Sequence, residues 1–180
     1  MTVEELFAMP EVDRVDQRLI AGRLVERTHP YRSPAHSGTV ATLSAMIGNW
    51  ARKCSQRQWH VYGYGCAYRL KRNPDTMLCY DLSIIPQELS ERQEEKTSFI
   101  EGIPTLGVEV IDFADSQEQV LELVEVSLSS GVPRIWVIDP VAEWIEIRSS
   151  NQERQILSSA EELTDPELPG FRCAVAEIFE

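Results

Sequence analysis

Two carboxylates stand inside otherwise apolar stretches. Asp81 interrupts Met77-Leu78-Cys79-Tyr80-Asp81-Leu82-Ser83-Ile84-Ile85, and Glu109 interrupts Leu106-Gly107-Val108-Glu109-Val110-Ile111. Burying an isolated carboxylate is costly unless it is paired, hydrogen-bonded or bound to a metal. If the two stretches are neighbouring strands, both acids project from one edge toward a shared hard cation. Mg²⁺, or Mn²⁺ in its place, accepts one or two carboxylates together with water and phosphate oxygens. The alternative is that strand alternation simply turns both acids to solvent. His29 and His60 have no companion at metal-ligand spacing and read as structural. His36 reads as a capping or packing residue over a loop with two prolines. Cys54, Cys66, Cys79 and Cys173 form no CxxC pair, so they read as small buried hydrophobes rather than zinc or redox ligands.

The elements that must carry these acids are legible in outline. Thr2 and Glu5 have capping-box spacing, which predicts a short helix over residues 3–9. Two apolar runs flank Ala21-Gly22 and predict a hairpin. From residue 35 to 54, Val40, Leu43, Ile47 and Trp50 share one helical face with Met46 beside them. Residues 59–62, 66–70 and 78–85 are rich in aromatic and β-branched types and read as three strands. The run 106–111 predicts a further strand, followed by a helix capped by Asp115 or Ser116 and closed at Gly131. Residues 134–139 and 144–148 read as a hairpin, with another strand at 154–157. Beyond residue 162, Pro166 and Pro169 limit regular structure until 174–179. The second helix reads as the crossover between strands 106–111 and 134–138, so the expectation is one α/β domain over residues 1–180.

Composition removes several classes of function. A chain of 180 residues that is 43% hydrophobic is neither disordered nor collagen-like, and no apolar run approaches a membrane span. The opening Met1-Thr2-Val3-Glu4-Glu5-Leu6 has no signal-peptide pattern, so a cytoplasmic location without membrane attachment is expected. The net charge of −12 excludes wholesale electrostatic coating of nucleic acid. It is distributed unevenly, with a basic excess before residue 73 and a strong acidic excess after it. Arg14, Arg18, Arg23, Arg27 and Arg32 recur at four- or five-residue steps. The plain expectation is a solvated exposed face, and the sharper one is a ridge contacting phosphates. Trp50, Trp59, Trp136 and Trp144 read as core.

In order along the chain come the opening Thr2-Val3-Glu4-Glu5-Leu6, the hairpin with Leu19-Ile20-Ala21-Gly22, His36, strand-Asp81 and strand-Glu109-Val110-Ile111. Gly131-Val132-Pro133, Ile135-Trp136-Val137-Ile138-Asp139-Pro140 and Leu168-Pro169-Gly170-Phe171 follow. This succession resembles the Uma-type "putative restriction endonuclease" family of the PD-(D/E)XK nuclease superfamily. The resemblance implies a restriction-endonuclease-like fold, a mixed β-sheet flanked by helices. It also implies Mg²⁺-dependent (or Mn²⁺-dependent) hydrolysis of DNA phosphodiesters, with Asp81 and Glu109 as metal ligands and catalytic residues. Such a site is normally completed by a lysine, and here the sequence departs from the pattern. Ile111 occupies the usual slot and Leu123 the alternative slot on the following helix, and no lysine follows Lys96. Gln119, Glu122, Lys71, Lys96 and Arg134 are the candidate substitutes. The expectation is therefore an endonuclease with an incomplete site. The alternative is a catalytically inactive nuclease-fold binding or assembly module, as a homodimer for example.

Overall fold

The computed structural model describes residues 1–9, 16–27, 31–54, 59–63, 65–93, 98–151 and 154–180. Arg14, His29, Lys96 and the side chain of Arg27 lie outside the described residues. Local chemistry sets the first elements. The Thr2 hydroxyl accepts the Glu5 N–H while the Glu5 carboxylate accepts the Thr2 N–H, and this reciprocal cap starts α1 (Val3–Phe7). Strands β1 (Asp16–Ile20) and β2 (Arg23–Arg27) form the expected hairpin, its two turn residues Ala21 and Gly22 at φ 50° and 76°. Ser33 caps the long helix α2 (Pro34–Lys53), with Pro34 in its first turn.

Next come β3 (Trp59–Gly63), β4 (Ala67–Lys71), β5 (Thr76–Cys79), β6 (Leu82–Pro86), the short helix α3 (Gln87–Glu91) and β7 (Ile100–Glu101). Strand β8 (Leu106–Val110) leads through α4 (Gln117–Ser129) to β9 (Arg134–Asp139). Ser116 caps α4 in a second capping box, and Gly131 follows its end at φ 97°. Strands β8 and β9 are parallel, so α4 is the crossover that the sequence predicts. Strands β10 (Trp144–Arg148) and β11 (Gln155–Ser158) continue the sheet antiparallel. The chain closes with the hairpin of β12 (Glu162–Thr164) and β13 (Arg172–Ala174) and a 3₁₀ turn at Val175–Ile178.

Two principal sheets result. One has the order β2-β1-β5-β4-β7 and the other β11-β10-β9-β8-β6-β3. Helix α2 and the terminal hairpin cover one face of the six-stranded sheet, where Leu43 and Ile47 meet Leu82, Val108, Val110 and Trp136. A second core fills the space around α4, between strands of both sheets, and contains Tyr68, Leu78, Tyr80, Leu123 and Ile135. Helix α1 packs on the five-stranded sheet through Val3 and Leu6 against Leu19 and Met77.

Three expectations need correction. The run 78–85 is two strands belonging to different sheets, because the chain leaves β5 at Tyr80-Asp81 and joins the six-stranded sheet at Leu82. The face of α2 is rotated, with His36, Thr39, Leu43, Ile47 and Ala51 buried and Val40 and Trp50 only partly so. The segment after residue 162 holds a regular two-stranded sheet despite its prolines, which sit in the connection between β12 and β13.

Candidate active site

Asp81 occupies the bend where the chain crosses from one sheet to the other, immediately before β6. Strand β6 pairs with β8 in a register that sets Leu82 opposite Val108. One residue farther along, Asp81 is level with Glu109. Two hydrogen bonds fix this position. The Asp81 N–H donates to the Val108 carbonyl at 3.0 Å, and Asp81 Oδ2 accepts the Val110 N–H at 2.8 Å. Asp81 thus grips the residues on both sides of Glu109. Both acids are buried, at 2% and 1% exposure, so strand alternation does not turn them to solvent.

Each carboxylate has a basic neighbour from another element. The buried His36, in the first turn of α2, places Nε2 3.2 Å from Asp81 Oδ2. The guanidinium of Arg18, from β1 in the other sheet, lies 3.4 Å from Glu109 Oε1. Tyr80 sits beside this pair. Burial pushes its hydroxyl well above the usual tyrosine range, and the charges of Arg18 and Glu109 act on it in opposite directions. Tyr80 Oη lies 2.9 Å from Ser127 Oγ, which itself donates to the Leu123 carbonyl on α4. Tyr80 is therefore the donor to Ser127.

The loop after β8 completes the surroundings. Asp112 accepts the Ser33 N–H at 2.7 Å and the Phe113 N–H at 2.8 Å, joining the start of α2 to the end of β8. Burial alone would raise its pKa. The two backbone donors and the nearby His36 outweigh it and hold the carboxyl below the ordinary 3.8. Arg32 reaches Asp115 at 3.5 Å.

The expected substitutes for a lysine have other work. Leu123 is 1% exposed and belongs to the core around α4. Lys71 Nζ donates to the Ser129 carbonyl at the end of α4. Arg134 is buried against Asp165, 3.1 Å away. Glu122 pairs with Arg23 at 2.7 Å, and Gln119 is occupied in the capping box of α4. Among the described residues, the guanidinium beside Glu109 is that of Arg18. The arginines of the N-terminal segment do not form one exposed face, because Arg18 is buried and Arg32 is nearly so, whereas Arg23 is open to solvent. Five-residue steps cannot show this, since β1 is covered on both faces, Leu19 by α1 and Arg18 by the six-stranded sheet. Sequence alone offers His36 as a capping or packing residue, or, through the resemblance, as one that approaches substrate phosphate, and its approach to Asp81 is tertiary.

Comparison with known proteins agrees with this architecture. The family model Uma2, described as "Putative restriction endonuclease", matches residues 3–176. The chain belongs to that family. A crystal structure titled as a putative nuclease of DUF820 from Anabaena variabilis ATCC 29413 superposes with a TM-score of 0.81 at 18% identity. The likeness covers 99% of this chain and 97% of that one, and at this identity it shows the shared fold. No curated protein matches the chain. No helix among the described residues is long and apolar enough to cross a membrane.

Proposed function

We propose that the chain is a metal-dependent DNA endonuclease whose divalent ion is held by Asp81 and Glu109. The observation that supports this reading is the bracketing of Glu109 by two Asp81 hydrogen bonds, one from its N–H and one to its carboxylate, which brings two buried acids level where the chain enters β6 beside β8. Their chemistry suits Mg²⁺ or Mn²⁺, since both supply hard, anionic oxygens. Among the described residues there is no group of three or more His, Cys, Asp or Glu that could hold a metal. The donor set thus fits an ion completed by water and phosphate oxygens rather than one caged by protein. Such an ion, when bound, polarises a phosphate oxygen and acidifies a water.

The protein's own groups prepare that arrangement. The Val110 N–H orients the Asp81 carboxylate, as second partners of metal ligands do, and the His36 ring packs against it with Nε2 3.2 Å from Oδ2. Arg18 offsets the charge of Glu109. The net reaction adds one water across a P–O ester bond, leaving a phosphomonoester on one side and a hydroxyl on the other. The specific reason to keep the inactive binding module as a second reading is Leu123, an uncharged core residue where the resemblance leads one to expect a lysine.

Supercoiled plasmid nicking separates the two. Slow nicking that needs Mg²⁺ or Mn²⁺, and disappears in both Asp81→Ala and Glu109→Ala, is the expected result. DNA binding without any nicking by the wild-type protein would establish the binding module. Nicking that survives in both variants would place the chemistry elsewhere.

A further inference from the structure

We infer that Phe113 and Tyr31 form a stacking platform for an unpaired base, which makes single-stranded DNA the substrate class; the inference rests on the endonuclease reading above. The first observation is exposure. Phe113 is 80% exposed and Tyr31 68%, more than any other Phe, Tyr or Trp among the described residues. A lone apolar side chain on a surface is ordinary, but apolar area gathered beside a functional site marks a binding surface.

The second observation is placement. One carboxylate ties together the two segments that carry the rings. Asp112 accepts the N–H of Phe113 at 2.8 Å and, at 2.7 Å, the N–H of Ser33, which follows Tyr31 by two residues. Arg32, between Tyr31 and Ser33, reaches Asp115 at 3.5 Å. From this junction the contacts run on to the acids. The Ser33 hydroxyl accepts the His36 N–H, and the His36 ring lies against Asp81. Phe113 itself follows Glu109 by four residues. The rings are thus mounted next to the acid pair, on backbone that hydrogen bonds hold in place.

The third observation is charge. A duplex is gripped through many phosphates by lysines and arginines, and this chain carries a net charge of −12. Affinity must then come largely from contacts that need no charge. An aromatic ring offers nothing to a phosphate but a whole face to a base, and base–aromatic stacking tolerates any sequence. Bases inside a duplex already stack on their neighbours and present only their edges. An unpaired base presents its face, and a ring beside the acids would set the adjoining phosphate toward them.

Fluorescence anisotropy in Ca²⁺ tests this with a labelled single strand, the duplex of the same sequence and a single strand carrying abasic sites. Electron paramagnetic resonance follows Mn²⁺ binding to the same proteins. Wild type should bind the single strand at least about tenfold more tightly than the duplex. Phe113→Ala should lose about tenfold on the single strand, the size of one base–aromatic stack, and Tyr31→Ala should weaken it in the same direction. Phe113→Trp should keep the affinity. The salt slope and Mn²⁺ binding of Phe113→Ala should match wild type, because no charge has been removed. On the abasic strand wild type and Phe113→Ala should bind alike. A wild type that binds duplex as well as single strand, or single-strand binding unchanged by either substitution, overturns the inference and leaves the endonuclease reading standing. Loss of Mn²⁺ binding in Phe113→Ala overturns it too, by showing that the ring only supports the loop after β8. A wild type that binds Mn²⁺ but no oligonucleotide overturns the nucleic-acid reading, and the inference with it. Should Phe113→Ala fail to fold, Phe113→Trp decides. Its added fluorescence must be quenched by the single strand and not by the abasic one, and unchanged emission rejects the platform.

Discussion

His36 shows how a single side chain reports on the pair of acids. It is buried at the start of α2, with Nε2 3.2 Å from Asp81 and its charge also felt by Asp112. In a metal site such a neighbour fixes the ligand's orientation, and its loss typically costs about 10–100-fold in affinity. His36→Ala should therefore weaken Mn²⁺ binding by at least about tenfold. A titration of the variant and wild type at one pH checks this, and an unchanged dissociation constant would reduce His36 to a packing residue. Asp81 and Glu109 were legible in the sequence because acids inside apolar runs are conspicuous. Arg18 was not, because its partner is 91 positions away and nothing local distinguishes it from Arg23.

At the scale of elements, the site depends on how closely β8 passes the Tyr80-Asp81 bend. Gly107 permits that passage. A Cβ built there would lie 2.7 Å from two Tyr80 ring atoms and 3.0 Å from Ile135 Cδ1. Tyr80 is fully buried and tied to Ser127, so the ring cannot swing away. Gly107→Ala should destabilise the fold by about 1–3 kcal/mol through overpacking. Urea denaturation measures this, and a variant as stable as wild type would mean that the bend yields. The same bend explains where sequence reading stopped. Capping boxes, the Ala21-Gly22 turn and the Gly131 helix end are local devices and appear where residue types predict them. The run 78–85 reads as one strand because its residues are apolar apart from Asp81 and Ser83. Burial on both sides erases the alternation that would mark the transfer between sheets. The β12–β13 hairpin was missed for a related reason, since each of its strands has only three residues.

Across the molecule, α1, β4, the turn before β5 and β7 are joined by one buried cation. Arg69 is 4% exposed and pairs with Glu101, Glu4 and Asp75, while Arg72 also reaches Glu101. Hydrogen bonding from Arg69 holds the Glu101 carboxyl below its usual 4.5. A depressed folded-state pKa contributes stability that is present above the unfolded value and is lost as the pH falls through the folded one. Glu101→Gln should thus cost about 1 kcal/mol at neutral pH, a figure kept small because Glu101 is itself 43% exposed. The difference from wild type should shrink as the pH falls below about 4.5 in paired denaturation curves. A constant gap down to pH 3 would show that Arg69 does not act through charge.

Pairing of β1 with β5 holds the strand whose Arg18 reaches Glu109, while α2 brings His36 to Asp81. Everything functional then turns on whether the two acids share an ion. Mn²⁺ titration of the wild-type protein, Asp81→Asn and Glu109→Gln tests that most directly. The account predicts a bound ion in the wild type whose affinity falls at least tenfold in each variant. Retention of wild-type affinity in either variant, or no bound Mn²⁺ in the wild type, would contradict it.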